Sequence, residues 1–162
     1  MTSPVKARFR PARSADIPTL CELLAELFSL ESDFQPDRDK QAQALQLLIN
    51  KNNEDSAAPA CVVWVAEEGG VIIGMCSVQI LISTAEGGEV GLIEDVIIDA
   101  SHRKQGIGKQ MLQHLETWAH ERGLRRLQLL ADTHNKSAIT FYKRNGWEGT
   151  QLLAMRKLLL PQ

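Results

Sequence analysis

Two carboxylates, Glu94 and Asp95, interrupt an apolar run, Leu92-Ile93-Glu94-Asp95-Val96-Ile97-Ile98. The chain then turns basic and glycine-rich: Arg103-Lys104-Gln105-Gly106-Ile107-Gly108-Lys109. A carboxylate among aliphatic side chains loses hydration, which raises its pKa toward neutrality and suits it to taking a proton from a nucleophile. Glycines two apart, at a helix start and beside three cations, offer free backbone N–H groups and a positive helix end to an anion. Together they describe proton transfer beside a bound phosphate. Each has a plainer reading as well. The carboxylates could cap a helix or pair with an arginine, and the glycines could form only a tight turn with solvated cations. A P-loop is disfavoured because it needs Gly-x4-Gly-Lys-Ser/Thr, and a dinucleotide fingerprint needs a third glycine where Met111 stands.

Asn135 and Tyr142 are seven residues apart, two helical turns, and so share one helix face. Ala138 on that side is small enough to admit a ligand or a neighbouring helix. Tyr142 is the chain's one tyrosine, and its plainer reading is an amphipathic residue at the core edge. His102 and His134 flank the two turns without a second ligand at metal spacing, so no metal is expected. His114 and His120 read as solvated helix residues. Cys21, Cys61 and Cys76 are odd in number, widely spaced and set among apolar residues, which suggests buried thiols in a reducing compartment. Trp64, Trp118 and Trp147 read as core.

Periodicity supplies the elements that would hold these residues. Val5, Ala7 and Phe9 alternate with Lys6, Arg8 and Arg10 in a first strand that Pro11 closes. Ile17, Leu20, Cys21, Leu24, Leu27 and Phe28 form a helical stripe, started by Ser14 and Asp16 and ending near Ser29, with Glu22 and Glu26 on the far face. Residues 30–37 lose all period and form a loop. Ala42, Leu45, Leu48 and Ile49 mark a second helix that ends near Asn50, and residues 51–59 read as a mobile connection. Strands at 61–67 and 71–83 flank Glu68-Gly69-Gly70, and a turn at Glu86-Gly87-Gly88 leads into a strand at 90–99, making an antiparallel meander. Ile107, Met111, Leu112, Leu115 and Trp118 define a helix from about Gly106 that stops at Gly123. A strand at 126–131, parallel to 90–99, a helix at 135–145 and a last strand at 151–160 follow. The fold class is α/β with a mixed sheet.

A chain of 162 residues can bury a core as a single domain without staples. Its hydrophobic content of 44% and charged content of 23% fit a soluble globular protein. A net charge of −2 supplies no general field for nucleic acid. With no long apolar stretch and no signal-peptide core, no membrane partner and a cytoplasmic location are expected.

Three segments in order, Ile93-Glu94-Asp95-Val96-Ile97-Ile98, then Arg103-Lys104-Gln105-Gly106-Ile107-Gly108, then Asn135-x-x-Ala138-x-x-Phe141-Tyr142-x-x-x-Gly146-Trp147, resemble the GCN5-related N-acetyltransferase (GNAT) superfamily. The likeness in element order covers nearly the whole chain. It implies a mostly antiparallel sheet with a parallel, splayed pair and about four helices. It also implies acetyl-CoA as cosubstrate and direct attack of a primary amine on the thioester. On that resemblance the backbone of Val96, Ile97 and Ile98 pairs with the pantetheine arm beside a bulge. Arg103, Lys104, Gln105, Gly106, Ile107, Gly108 and Lys109 hold the pyrophosphate, Asn135 touches the CoA arm, and Tyr142 binds and protonates the leaving thiolate. Glu94 is the candidate base, through a water, with Asp95, expected on the opposite sheet face, as backup.

Acceptor choice would rest with the first two helices and their loop, where Glu26, Glu31, Asp33, Phe34 and Asp37 give an acidic, partly aromatic rim. That rim suits a small cationic amine, and Glu31, Phe34 and Asp95 are the candidate substrate residues. Acetylation of protein N-termini or lysines is an alternative, as is a non-catalytic acyl-CoA-binding regulatory module. A homodimer through the apolar last strand is a further expectation.

Overall fold

Strand β1 (Arg8–Pro11) pairs antiparallel with β2 (Cys61–Glu68), β2 with β3 (Val71–Ser83), and β3 with β4 (Gly88–Ile98). β4 pairs parallel with β5 (Leu127–Leu129), so the sheet order is β1-β2-β3-β4-β5. The structure is a computed structural model describing residues 6–53 and 59–159. The meander and the parallel crossover are as the hydrophobic pattern predicts. Val5, most of the 51–59 connection and Leu160 lie outside the described residues.

The helices follow the same stripes. In α1 (Ile17–Leu30), Leu20, Cys21, Leu24 and Leu27 are buried. α2 (Arg38–Asn53) runs past the expected stop at Asn50 and buries Leu45 and Ile49. Both pack on the sheet face that carries Val63, Val65, Met75 and Ile97. Trp64, between Val63 and Val65, points the other way and meets α3 (Ile107–Glu121), standing edge-on to His114 at 4.5 Å and 6.0 Å from Trp118. His114 is thus not a solvated residue. It stacks on Phe9 at 5.0 Å, and burial holds its pKa below the ordinary value. His120 is exposed.

The three cysteines are buried thiols outside any disulfide, and burial pushes the Cys76 thiol up to about 12. Arg10 ties β1 to the turn before α1: it donates to both Asp16 oxygens at 2.8 and 3.2 Å and to Glu67 at 2.9 Å. That contact holds the Asp16 carboxyl below its usual range.

By compactness the chain forms two units, Met1–Leu129 and Leu130–Gln162. The first contains the sheet and α1 to α3. The second contains α4 (Lys136–Arg144), and its residues 151–159 are not a strand. Apolar content suggested one, but the segment lacks alternation: Leu152 and Leu153 are neighbours that a strand would send to opposite faces. No other strand of that unit, among the described residues, could pair with it. Leu152, Leu153, Met155, Leu158 and Leu159 are exposed.

Candidate active site

The sheet changes character at Glu94 and Asp95. Cys76 pairs with Val96 and Val78 with Ile93, so Ser77 alone opposes both carboxylates, which form a bulge in β4. Since Cys76 and Val78 share a face of β3, their partners Val96 and Ile93 share one also, although three residues apart. The alternation that would put Glu94 and Asp95 on opposite faces is therefore broken. β5 ends opposite Ile93, one residue before the bulge. Beyond that point the outer edge of β4, residues 94–98, has no strand partner among the described residues.

The two carboxylates sit differently. Glu94 is exposed, yet partial desolvation by its apolar neighbours, followed by the charge of Asp95, raises its pKa. Asp95 is half-buried and accepts a 2.7 Å hydrogen bond from Ser77 Oγ. Burial raises its pKa, and the hydroxyl opposes that rise. Ser77 is 1% exposed. A polar residue in the run Met75-Cys76-Ser77-Val78 needs a buried partner, and that need was a signal the sequence carried.

After β4, Asp99 caps a short 3-10 turn, Ala100–His102, which periodicity did not foretell. Lys104 then has φ +60°, and Gly106, at the N-cap of α3, has φ +83°. A left-handed residue on either side of Gln105 makes a tight turn into α3, and turns of this kind can aim successive N–H groups at an anion, as a nest does. Glycine adopts this conformation without strain, whereas Lys104 does so at a cost of about 1–2 kcal/mol. Lys104 and Lys109 are exposed.

Arg103 is already engaged: its Nε donates to the Ile98 carbonyl at 2.8 Å, and its Nη2 bonds Glu26 of α1. Glu26 was expected on the far face of its helix. Its pairing with Arg103 leaves no local signal, because the two lie 77 residues apart. The Ile98 carbonyl, expected to serve the pantetheine arm, has one acceptor direction occupied by Arg103.

In the second unit, Asn135 is the N-cap of α4, its Oδ1 accepting from the Ala138 amide at 3.0 Å. The half-buried Tyr142 ring packs against Phe141 at 5.4 Å and Trp147 at 5.9 Å. Of the rim residues, Phe34 is exposed with its ring 5.6 Å from that of Phe28, and Glu31 follows the last turn of α1.

A model of the acetyltransferase (GNAT) family matches residues 18–147. An uncharacterized N-acetyltransferase of Methanocaldococcus jannaschii is 33% identical over 139 residues, covering 85% of this chain and 59% of that protein, so the chain spans little over half of that relative. An aminoalkylphosphonate N-acetyltransferase of Salmonella typhimurium is 26% identical over 139 residues, covering 86% of this chain and 83% of that protein. A predicted acetyltransferase of Clostridium acetobutylicum, solved with acetyl-CoA, superposes with a TM-score of 0.72 at 22% identity over 93% of this chain and 96% of that one. At that identity the likeness is one of fold.

Proposed function

The chain belongs to the acetyltransferase (GNAT) family, and we propose that it moves an acetyl group from acetyl-CoA to the primary amine of a small molecule. The neutral amine attacks the thioester carbonyl carbon, the C–N bond forms, and the C–S bond breaks to release CoA as its thiolate. Nitrogen gives up one proton, to Glu94 through a water, and sulfur gains one, from Tyr142. The products are the acetamide and the CoA thiol. A base of raised pKa suits this step, because it must accept a proton near neutral pH and remain available to do so.

The observation that carries this reading is the bulge at Glu94 and Asp95. It coincides with the end of β5 pairing and leaves the 94–98 edge open immediately before the nest at Lys104 and Gly106. An extended pantetheine arm can add to such an edge as a strand does, with the backbone of Val96 to Ile98 as its partner. The amides from Lys104 to Lys109 then take the pyrophosphate. Asn135 has its Oδ1 committed to the cap, so its Nδ2 is the group assigned to the CoA arm. Tyr142 is assigned from its place in the family pattern.

A small aminoalkyl compound is the acceptor class. The Salmonella relative is named for such a compound. The cavity between α1, α2 and β4, of about 240 Å³, is below the roughly 300 Å³ at which drug-sized sites begin.

Thiol release from acetyl-CoA across a panel of small amines and peptides tests the reading. Turnover with small amines is expected, and Tyr142→Phe should lower kcat by about a hundredfold while acetyl-CoA binding stays within about twofold. Acetyl-CoA binding without turnover across the panel would instead indicate a regulatory module. Equal loss of turnover and binding in Tyr142→Phe would remove the proton-donor assignment.

A further inference from the structure

The cavity between α1, α2 and β4 has walls of Leu24 and Phe28 from α1 and Ala44, Leu45 and Leu48 from α2, with Asp95 of β4 beside them. Lys40 and Gln41 of α2 complete its lining, and the Gln41 side-chain oxygen accepts from the Asp37 amide at 2.7 Å. Ser77 donates one hydrogen bond to the Asp95 carboxylate, and among the described residues no lysine, arginine or histidine forms an ion pair with it. Lys40, at the same cavity, is 81% exposed and lies 3.6 Å from Asp37, a carboxylate of its own. A half-buried carboxylate with a hydroxyl partner and no ion-paired cation, in a mostly apolar slot, is incompletely compensated. An ammonium on a short alkyl chain would supply both missing parts. Its charge would face Asp95, and its methylenes would cover the leucines and Phe28.

Asp95 is also the neighbour of Glu94 at one bulge. Both carboxylates oppose Ser77, yet one is exposed at the open edge of β4 and the other lies in the slot. The bulge therefore offers two acidic positions in different surroundings, one for a reacting amine and one for a spectator. Resting on the reading of this site as an acetyltransferase acceptor site, we propose that the slot binds a second, non-reacting ammonium group of the acceptor with Asp95 as its counter-ion, so that the acceptor is a short alkyl diamine. The held group stays protonated and cannot attack. Only the amine outside the slot is acetylated, which restricts the product to one acetyl group.

The test reads binding by calorimetry without acetyl-CoA, at fixed ionic strength, for α,ω-diaminoalkanes, alkylamines of equal length and ω-amino acids. Wild type should bind the diamine about tenfold or more tighter than the alkylamine, and Asp95→Asn should bring that ratio to about one. Leu48→Phe, which fills the slot and keeps the carboxylate, should weaken the diamine while thermal melting confirms a folded protein. Equal binding of diamine and alkylamine by wild type would overturn the proposal. So would a preference that persists in Asp95→Asn, or tightest binding of the ω-amino acid, which would make Lys40 the anchor. Because binding is measured apart from turnover, the two ideas fail separately. Diamine binding that depends on Asp95, with no acetyl transfer to any amine, would remove the enzymatic reading. Transfer to alkylamines and diamines alike would remove the proposal alone.

Discussion

Glu94 and Asp95 are adjacent, but their surroundings give them different work. Glu94 is exposed at the edge where β4 loses its partner, and its raised pKa suits a base. Glu94→Gln should lower kcat by roughly a hundredfold or more and leave acetyl-CoA affinity unchanged. In wild type, kcat/KM should fall as pH drops through the raised Glu94 pKa. That acid limb should be missing from the variant's profile.

For Asp95 the sign concerns stability. A carboxyl whose folded pKa lies above its unfolded value binds protons more tightly when folded, so its contribution diminishes as pH rises from about 4. Asp95→Asn should therefore gain melting temperature relative to wild type as pH rises from about 4 toward neutrality. A variant that loses melting temperature relative to wild type over that range would mean that Asp95 is stabilised as a carboxylate.

The two acids were legible in the sequence because charge in an apolar strand stands out. The partners of Ser77 and Glu26 were not, because they lie 18 and 77 residues away. Sequence spacing conveys faces of one helix or strand. It does not convey which strand position will meet which helix.

At the scale of elements, the hydrophobic pattern located α1 to α3 and the antiparallel meander, since each buries a stripe or a face of the expected period, whereas α4 has no buried residue and followed from the Asn135–Tyr142 spacing. It failed where a segment's state depends on pairing. β5 keeps three residues of the six expected, since its pairing with β4 covers only Leu127 to Leu129. The bulge also left no trace in composition: two residues opposing one is a matter of register, set between strands. The glycine turn is the opposite case, legible because local chemistry decides it.

Gly106, at φ +83° with open space around its Cα, is required for its backbone angle and not for room. Gly106→Ala should cost about 1–2 kcal/mol of stability, read from denaturant unfolding. It should also weaken acetyl-CoA binding by distorting the nest, with little change in acceptor KM. An equal rise in both constants would point to a general loss of folding and not to a phosphate site.

For the whole molecule, a net charge of −2 means that an anionic cosubstrate gains nothing from the overall field and must be drawn by a local patch. The cations there are of two kinds. Lys104 and Lys109 are exposed beside the nest, whereas Arg103 spends its guanidinium on the Ile98 carbonyl and Glu26, joining the phosphate turn to α1. Exposed charges are screened within about 10 Å at ordinary ionic strength, and each is worth about 1 kcal/mol or less. Acetyl-CoA affinity should accordingly fall roughly threefold to tenfold between about 0.05 M and about 0.5 M salt. The double variant Lys104→Gln, Lys109→Gln should bind more weakly at low salt and lose most of that dependence. Arg103→Gln should weaken binding by loosening the turn and the end of β4, while the salt slope stays close to that of wild type. Calorimetric titration of acetyl-CoA at several salt concentrations separates the two effects. A slope that collapses in Arg103→Gln would mean that the arginine leaves Glu26 and meets the pyrophosphate directly.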